Sequence, residues 1–225
     1  MRRSVPSASL RASLVASVLS AGLLAACTTT GPGTGMSFFV SSQGSGRGGD
    51  LGGLDGADRL CTSLASAAGS TKTWRAYLST QPLGGRAGGN ARDRIGTGPW
   101  RNAQGVVVAT SVADLHGPAN NITKQTALTE KGQVINGRGD TPNQHDVLTG
   151  SQPDGTFIAG DVDSTCGNWT KSGEGAAMVG HHDRLGLSDT VPAKSWNSSH
   201  QSRGCGLEAL KATGGDGRLY CFAVN

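Results

Sequence analysis

Apolar residues are in short supply in this sequence. Hydrophobic side chains make up 36% of the 225 residues, and glycine alone fills 36 positions. That balance excludes a thick helical core, so loops must form much of the fold and something besides core area must hold them. Several chemistries are missing as well. There is no Cys-x-x-Cys pair to build a zinc cluster, no Gly-x-Ser-x-Gly nucleophile elbow, no phosphate-binding glycine loop and no His-Glu-x-x-His. No basic cluster interleaved with aromatics appears, which argues against nucleic acid as a partner. No internal repeat of the kind that builds solenoids or propellers is present.

What is present begins at the first residues. In MRRSVPSASLRASLVASVLSAGLLAAC, three arginines (Arg2, Arg3 and Arg11) lead an apolar run that ends in Leu24-Ala25-Ala26-Cys27. A positive start, a short apolar stretch and small residues form a secretory signal, too short to be a spanning helix with its own stop-transfer flank. The Leu-Ala-Ala-Cys ending resembles the bacterial lipoprotein signal, in which the cysteine is lipidated and becomes the first mature residue. The expectation is a signal over 1–26, a lipidated Cys27 with a Gly/Pro linker over 27–35, and one domain over 36–225. The same resemblance, with Thr28 rather than aspartate after the cysteine, implies a lipid-anchored protein of the bacterial cell envelope, at the outer membrane. Without the three arginines of the signal the net charge falls from +4 to +1, so the apparent basicity belongs to the targeting segment.

Four cysteines remain: Cys61, Cys166, Cys205 and Cys221. An even number in an exported chain reads as two disulfides, with three pairings open.

Strand formers gather at both ends of the domain, in MSFFVSS (36–42) and RLYCFAV (218–224), and pairing of these would bring the termini together. Leu54, Ala57, Cys61, Leu64, Ala65 and Ala68 recur at helical spacing, with Asp55 as N-cap and Gly69 as stop, which buries Cys61. Residues 73–80 alternate as a half-buried strand, 90–96 suit a helical turn, and 106–110, 155–160 and 166–170 are further short strands. The composite is an α+β domain with two helices, short antiparallel strands and long loops.

The run GLDGADRLCTSLASAAGSTKTWRAYLST resembles the start of the endostatin domain of certain collagens, a C-type-lectin-like fold. Gly150-Ser151-x-Pro153-x-Gly155, Cys166 followed by Trp169, then Cys205 and Cys221, agree with it in order. The resemblance covers both ends of the domain and implies two nested disulfides, Cys61 with Cys221 and Cys166 with Cys205.

The lectin resemblance also directs attention to sugar and calcium. Gln152-Pro153-Asp154 matches the tripeptide with which galactose-type C-type lectins hold both, Asp161 or Asp163 stands for the further carboxylate, and Trp196-Asn197 matches two-thirds of a Trp-Asn-Asp motif, with Ser198 in place of the aspartate. Pro-Asp-Gly also makes a tight turn unaided. A second constellation, His181, His182, Asp183 and His200, has the residue types of a zinc or catalytic site, although adjacent histidines on a strand point oppositely. His145-Asp146 reads as an isolated loop contact, and Arg138-Gly139-Asp140 and the sequons at Asn121, Asn168 and Asn197 as accidents of composition.

The function expected from these readings is a non-enzymatic, membrane-anchored binding module. Its expected ligand is a carbohydrate, an envelope or host glycan, met by exposed Trp169 and Trp196 with Gln152, Asp154 and Asn197, with calcium as the one cofactor considered. A protein-binding or structural envelope lipoprotein is the alternative, and a zinc hydrolase built on His181, His182 and His200 the third.

Overall fold

The computed structural model describes residues 35–224 together with Met1 and Ser4, so Cys27 and the lipidation expected there lie outside the described residues. The elements in chain order are β1 (Phe38–Val40), α1 (Gly53–Ala67), β2 (Trp74–Ala76), β3 (Trp100–Arg101), β4 (Val107–Ala109), α2 (Val112–Leu115), β5 (Asp146–Leu148), α3 (Cys166–Trp169), β6 (Met178–His181), β7 (His200–Gln201), α4 (Leu207–Lys211) and β8 (Gly215–Ala223). The class is mixed α+β.

The terminal strands do pair. β1 runs antiparallel to β8 with Phe38 opposite Phe222, and the main sheet continues in the order β1-β8-β5-β6-β7, with β2 also on β8. One pair, β5 with β8, is parallel, so the sheet is not purely antiparallel as expected. Both faces of the sheet are covered. Leu219, Cys221 and Ala223 pack into a cluster with Cys61, Trp74 and Trp169, while Tyr220 and Phe222 pack into another with Tyr77, Trp100 and Trp196. Alternation along β8 therefore serves two cores at once.

α1 forms where its apolar spacing predicts. Its entry differs: Gly52, in the left-handed region, is the cap residue, and Asp50 Oδ1 accepts from Gly52 N at 3.0 Å, while Asp55 sits in the first turn. Asp58 ties the helix to the sheet. It is 6% exposed, accepts from Ala76 N, and pairs with Arg75 at 2.6 Å and Arg94 at 2.8 Å.

Two strand expectations fail. Residues 155–160 contribute a single bridge, Phe157 to Ser151, because Gln152–Gly155 turns back too tightly for a ladder. Residues 166–170 hold α3, where Cys166, Gly167, Asn168 and Trp169 all have positive φ. This left-handed turn would cost roughly 1–2 kcal/mol per non-glycine residue on its own. Asn168 clasps Gln81, accepting from its N at 2.8 Å and donating to its O at 2.9 Å, and Asp163 accepts from Gly167 N at 2.9 Å. The helices number four among the described residues rather than two.

Cys61 joins Cys221 and Cys166 joins Cys205, the pairing that the endostatin-like order implies. They close loops of 160 and 39 residues. Chain-entropy estimates for loops of these lengths are roughly 5 and 4 kcal/mol.

Candidate metal centre

The two indoles expected at the surface lie in the core. Trp169 is fully buried and Trp196 is 3% exposed. Trp169 Nε1 donates to Ser79 O at 2.8 Å, and Trp196 packs against Tyr77 and Tyr220 with centroids at 4.8 and 5.2 Å. A chain with so few aromatic residues needs every indole for its core. Gln152-Pro153-Asp154 is a corner. Gly155 N donates to Gln152 O at 2.9 Å, and Gln152 Nε2 donates to Phe157 O at 2.9 Å. Asp154 Oδ1 accepts from Thr156 N and Oγ1. Asn197 is 1% exposed and its Nδ2 donates to Gln152 O, Pro153 O and the Tyr77 hydroxyl, so it clamps the corner from inside. Asp163 accepts from Thr165 N and Gly167 N, and Asp161 is exposed on the same loop. Asp154 and Asp163 are each engaged by backbone amides of their own loops.

Convergence occurs at the sheet. In the β5–β6 ladder Asp146 stands opposite His181, and in the β6–β7 ladder His200 stands opposite Val179. Val179 and His181 are two residues apart and share a face, so Asp146, His181 and His200 meet on one side of the sheet. His145 joins them from the residue before β5, its ring stacked on that of His181 at 4.1 Å and 12°. Asp146 Oδ1 is then 3.1 Å from His145 Nε2, 3.3 Å from His181 Nε2 and 3.6 Å from His200 Nε2.

Local sequence makes this approach possible at Gly180. A Cβ there would lie 1.8 Å from Trp196 O, so only glycine lets the segment that carries His200 cross β6. His182 points away, with Nε2 on Asn136 O at 3.2 Å, as adjacent strand positions dictate.

The protonation pattern of the three rings is fixed from behind. His145 Nδ1 faces Asp183 Oδ1 at 3.3 Å, His181 Nδ1 faces Ala193 O at 2.8 Å, and His200 Nδ1 faces Gln201 O at 3.0 Å. Each Nδ1 meets an acceptor and so carries the proton, which leaves three Nε2 lone pairs aimed at a carboxylate oxygen. Although Oδ1 is within 3.6 Å of all three nitrogens, neither Asp146 oxygen receives a well-directed hydrogen bond, and His181 Nε2 has no partner. Lone pairs facing lone pairs in a buried site call for a positive charge between them, either a metal ion or a proton on one of the imidazoles.

Burial pushes the Asp146 carboxyl up, but the imidazoles of His181 and His200 outweigh it and hold the group below the usual carboxylate range. His200 is held up by Asp146 against the opposing effect of burial. Asp183, behind His145, is pushed up by burial and brought far down by His145 and by the amides of Arg138 and Leu185. His145, Asp146 and His181 are buried, whereas the His200 side chain is 38% exposed and forms the only solvent-facing edge of the four.

Of the histidines named from sequence, the structure brings His181 and His200 together and leaves His182 out. His145 and Asp146 are the members of this cluster that sequence reading missed. Their adjacency as a His-Asp pair at a strand start was the only local clue. Compared with protein-family models and curated protein sequences, the chain matches none.

Proposed function

We propose that this protein is an extracytoplasmic domain, lipid-anchored at Cys27, that holds one divalent transition-metal ion on His145, Asp146, His181 and His200. The observation that carries the reading is the convergence of three imidazole Nε2 atoms on Asp146 Oδ1. In a tetrahedral shell with bonds of about 2.0–2.1 Å the ligand atoms lie about 3.3 Å apart. The three separations measured from Asp146 Oδ1, 3.1, 3.3 and 3.6 Å, straddle that value, and His145, Asp146 and His181 offer ligand atoms within 4.8 Å of one another. Three nitrogens and one oxygen suit zinc or cobalt and disfavour calcium and magnesium, which take oxygen. His200 stands beside His145, Asp146 and His181, 3.6 Å from Asp146 Oδ1, on the exposed edge. The outward edge of His200 supplies the entry path.

The envelope location rests on the signal architecture and is supported by two disulfides, which persist in oxidising compartments. The C-type-lectin-like, endostatin-like assignment belongs to the same reading and is supported by the order of matching residues and by the nested disulfide pairing. A protein partner remains the alternative to a purely metal-centred role.

Metal analysis of the purified protein, followed by cobalt(II) titration of the chelator-treated form, tests the proposal. One equivalent of metal is expected, with the visible absorption of a tetrahedral cobalt centre that Asp146→Asn and His181→Ala abolish. Absence of stoichiometric zinc or cobalt binding by the folded wild type sinks it.

A further inference from the structure

Away from the four metal ligands, a cavity of about 370 Å³ opens beside the 152–155 corner, walled by His116, Pro153, Arg184, Lys194, Trp196 and Asn197. Its polar lining is largely committed. Asn197 Nδ2 donates to the Tyr77 hydroxyl at 2.9 Å, and that hydroxyl donates to His116 Nε2 at 2.7 Å. His116 Nδ1 in turn donates to Val112 O at 2.8 Å, and burial holds this imidazole below its ordinary pKa. His116 is therefore a neutral wall. Gly155, with φ of +83°, is required here because a Cβ would lie 2.3 Å from His116 Nε2.

Arg184 is the exception. It is a non-glycine residue at φ 57°, a left-handed conformation that costs of order 1 kcal/mol or more and persists only where the surroundings impose it. Its guanidinium is half-buried. Nε donates to Ile122 O at 3.0 Å and Nη2 to Asn120 Oδ1 at 2.5 Å, while Nη1 has no acceptor among the described residues. Among the described residues no carboxylate forms an ion pair with it, and burial lowers its pKa against a weaker opposing pull from Tyr220. A partly desolvated, unpaired cation is unfavourable unless an anion reaches it. The nearest acid on the corner, Asp154, is already bonded to Thr156 and close to Arg92. Lys194 adds a second cation at the mouth, matched only by Asp189, which is 92% exposed.

We infer that this cavity binds a small ligand through its carboxylate, with the Arg184 fork as the primary contact and Lys194 as the secondary one. A planar carboxylate matches the guanidinium edge, and the volume suits a single sugar ring. A free carboxylic acid and an acidic sugar of the uronic type share this chemistry. The site would keep a carbohydrate role for the corner found in sequence, through charge rather than calcium.

Calorimetric titration of the full chain with glucuronate, acetate and glucose is the test. Saturable glucuronate binding is expected, weakened at least tenfold in Arg184→Gln and several-fold in Lys194→Gln, with zinc affinity unchanged in both. Glucuronate binding that greatly exceeds acetate binding supports an acidic sugar; equal binding supports a free acid. The proposal is overturned by the absence of saturable binding of either carboxylate, by glucose binding as well as glucuronate, or by undiminished binding in both variants. Because Arg184 also straps Ile122 and Asn120, Lys194→Gln, which disturbs only an exposed ion pair, keeps the test decisive if Arg184→Gln misfolds.

Discussion

Asp146 and His181 face each other directly across the antiparallel β5–β6 ladder, with Oδ1 and Nε2 3.3 Å apart and no hydrogen bond directed between them. Two buried groups in register with no directed bond between them are the start of the proposed coordination shell, to which His145 and His200 also belong.

Zinc should stabilise the fold by mass action. At a free concentration one hundred times Kd, binding to the native state alone adds about 2.7 kcal/mol. The expected outcome is a zinc-dependent rise in Tm by calorimetry that is absent in Asp146→Asn. A Tm indifferent to zinc in the wild type would count against the site.

Asp183 should set zinc affinity without touching the metal. Its carboxylate orients His145 at 3.3 Å and accepts from Arg138 N and Leu185 N. Removing a partner of this kind commonly costs 10–100-fold in metal affinity, so Asp183→Asn should weaken zinc binding by about that factor. Competition with a chromophoric chelator measures it, and the cobalt spectrum should remain tetrahedral because the four ligands are intact.

His182 should make the metal-free protein acid-sensitive. Burial brings its pKa down to about 4, against weaker upward pulls from Asp183 and from Asn136 O. Between about pH 6.5 and 4 the unfolded chain binds the proton and the folded one does not. The contribution is therefore complete above 6.5 and is lost as pH falls through that window, by roughly 3 kcal/mol in all. Urea denaturation in EDTA should show a shallower decline over this range for His182→Gln than for wild type. Parallel curves would reject the assignment.

Trp169→Ala separates a core indole from a sugar platform. A fully buried tryptophan of this kind costs about 3–5 kcal/mol on truncation, with the added loss of its bond to Ser79 O. Chemical denaturation should record a loss of that size. An unchanged midpoint would mean that the indole is exposed after all.

Asp58→Ala should destabilise by roughly 3–5 kcal/mol, because it leaves Arg94 half-buried without its partner and frees α1 from β2. Asp58→Asn, which keeps an acceptor for Ala76 N, should cost less. Equal losses in the two variants, measured by urea midpoint, would place the effect outside the ion pairs.

Short-range pattern in the sequence determined what depends on local physics. The spacing of Ala57, Cys61 and Ala65 specified α1 and its buried face, strand-forming runs at 36–42 and 218–224 became β1 and β8, and Pro153-Asp154-Gly155 made its corner. Four cysteines in an exported-type chain announced two disulfides, and the endostatin-like order implied their partners. Tertiary structure decided the rest. Whether an indole faces water or core depends on what packs over it, so the fates of Trp169 and Trp196 were not written in their neighbours. The proposed metal site joins residues 145 and 146 to residues 181 and 200 through two strand registers. Register is set by how whole strands bury their faces, and a shift of one residue would turn Asp146 to the other side of the sheet. A His-Asp pair that looks like a loop contact along the chain therefore joins the His181 and His200 cluster only when β5, β6 and β7 are laid side by side.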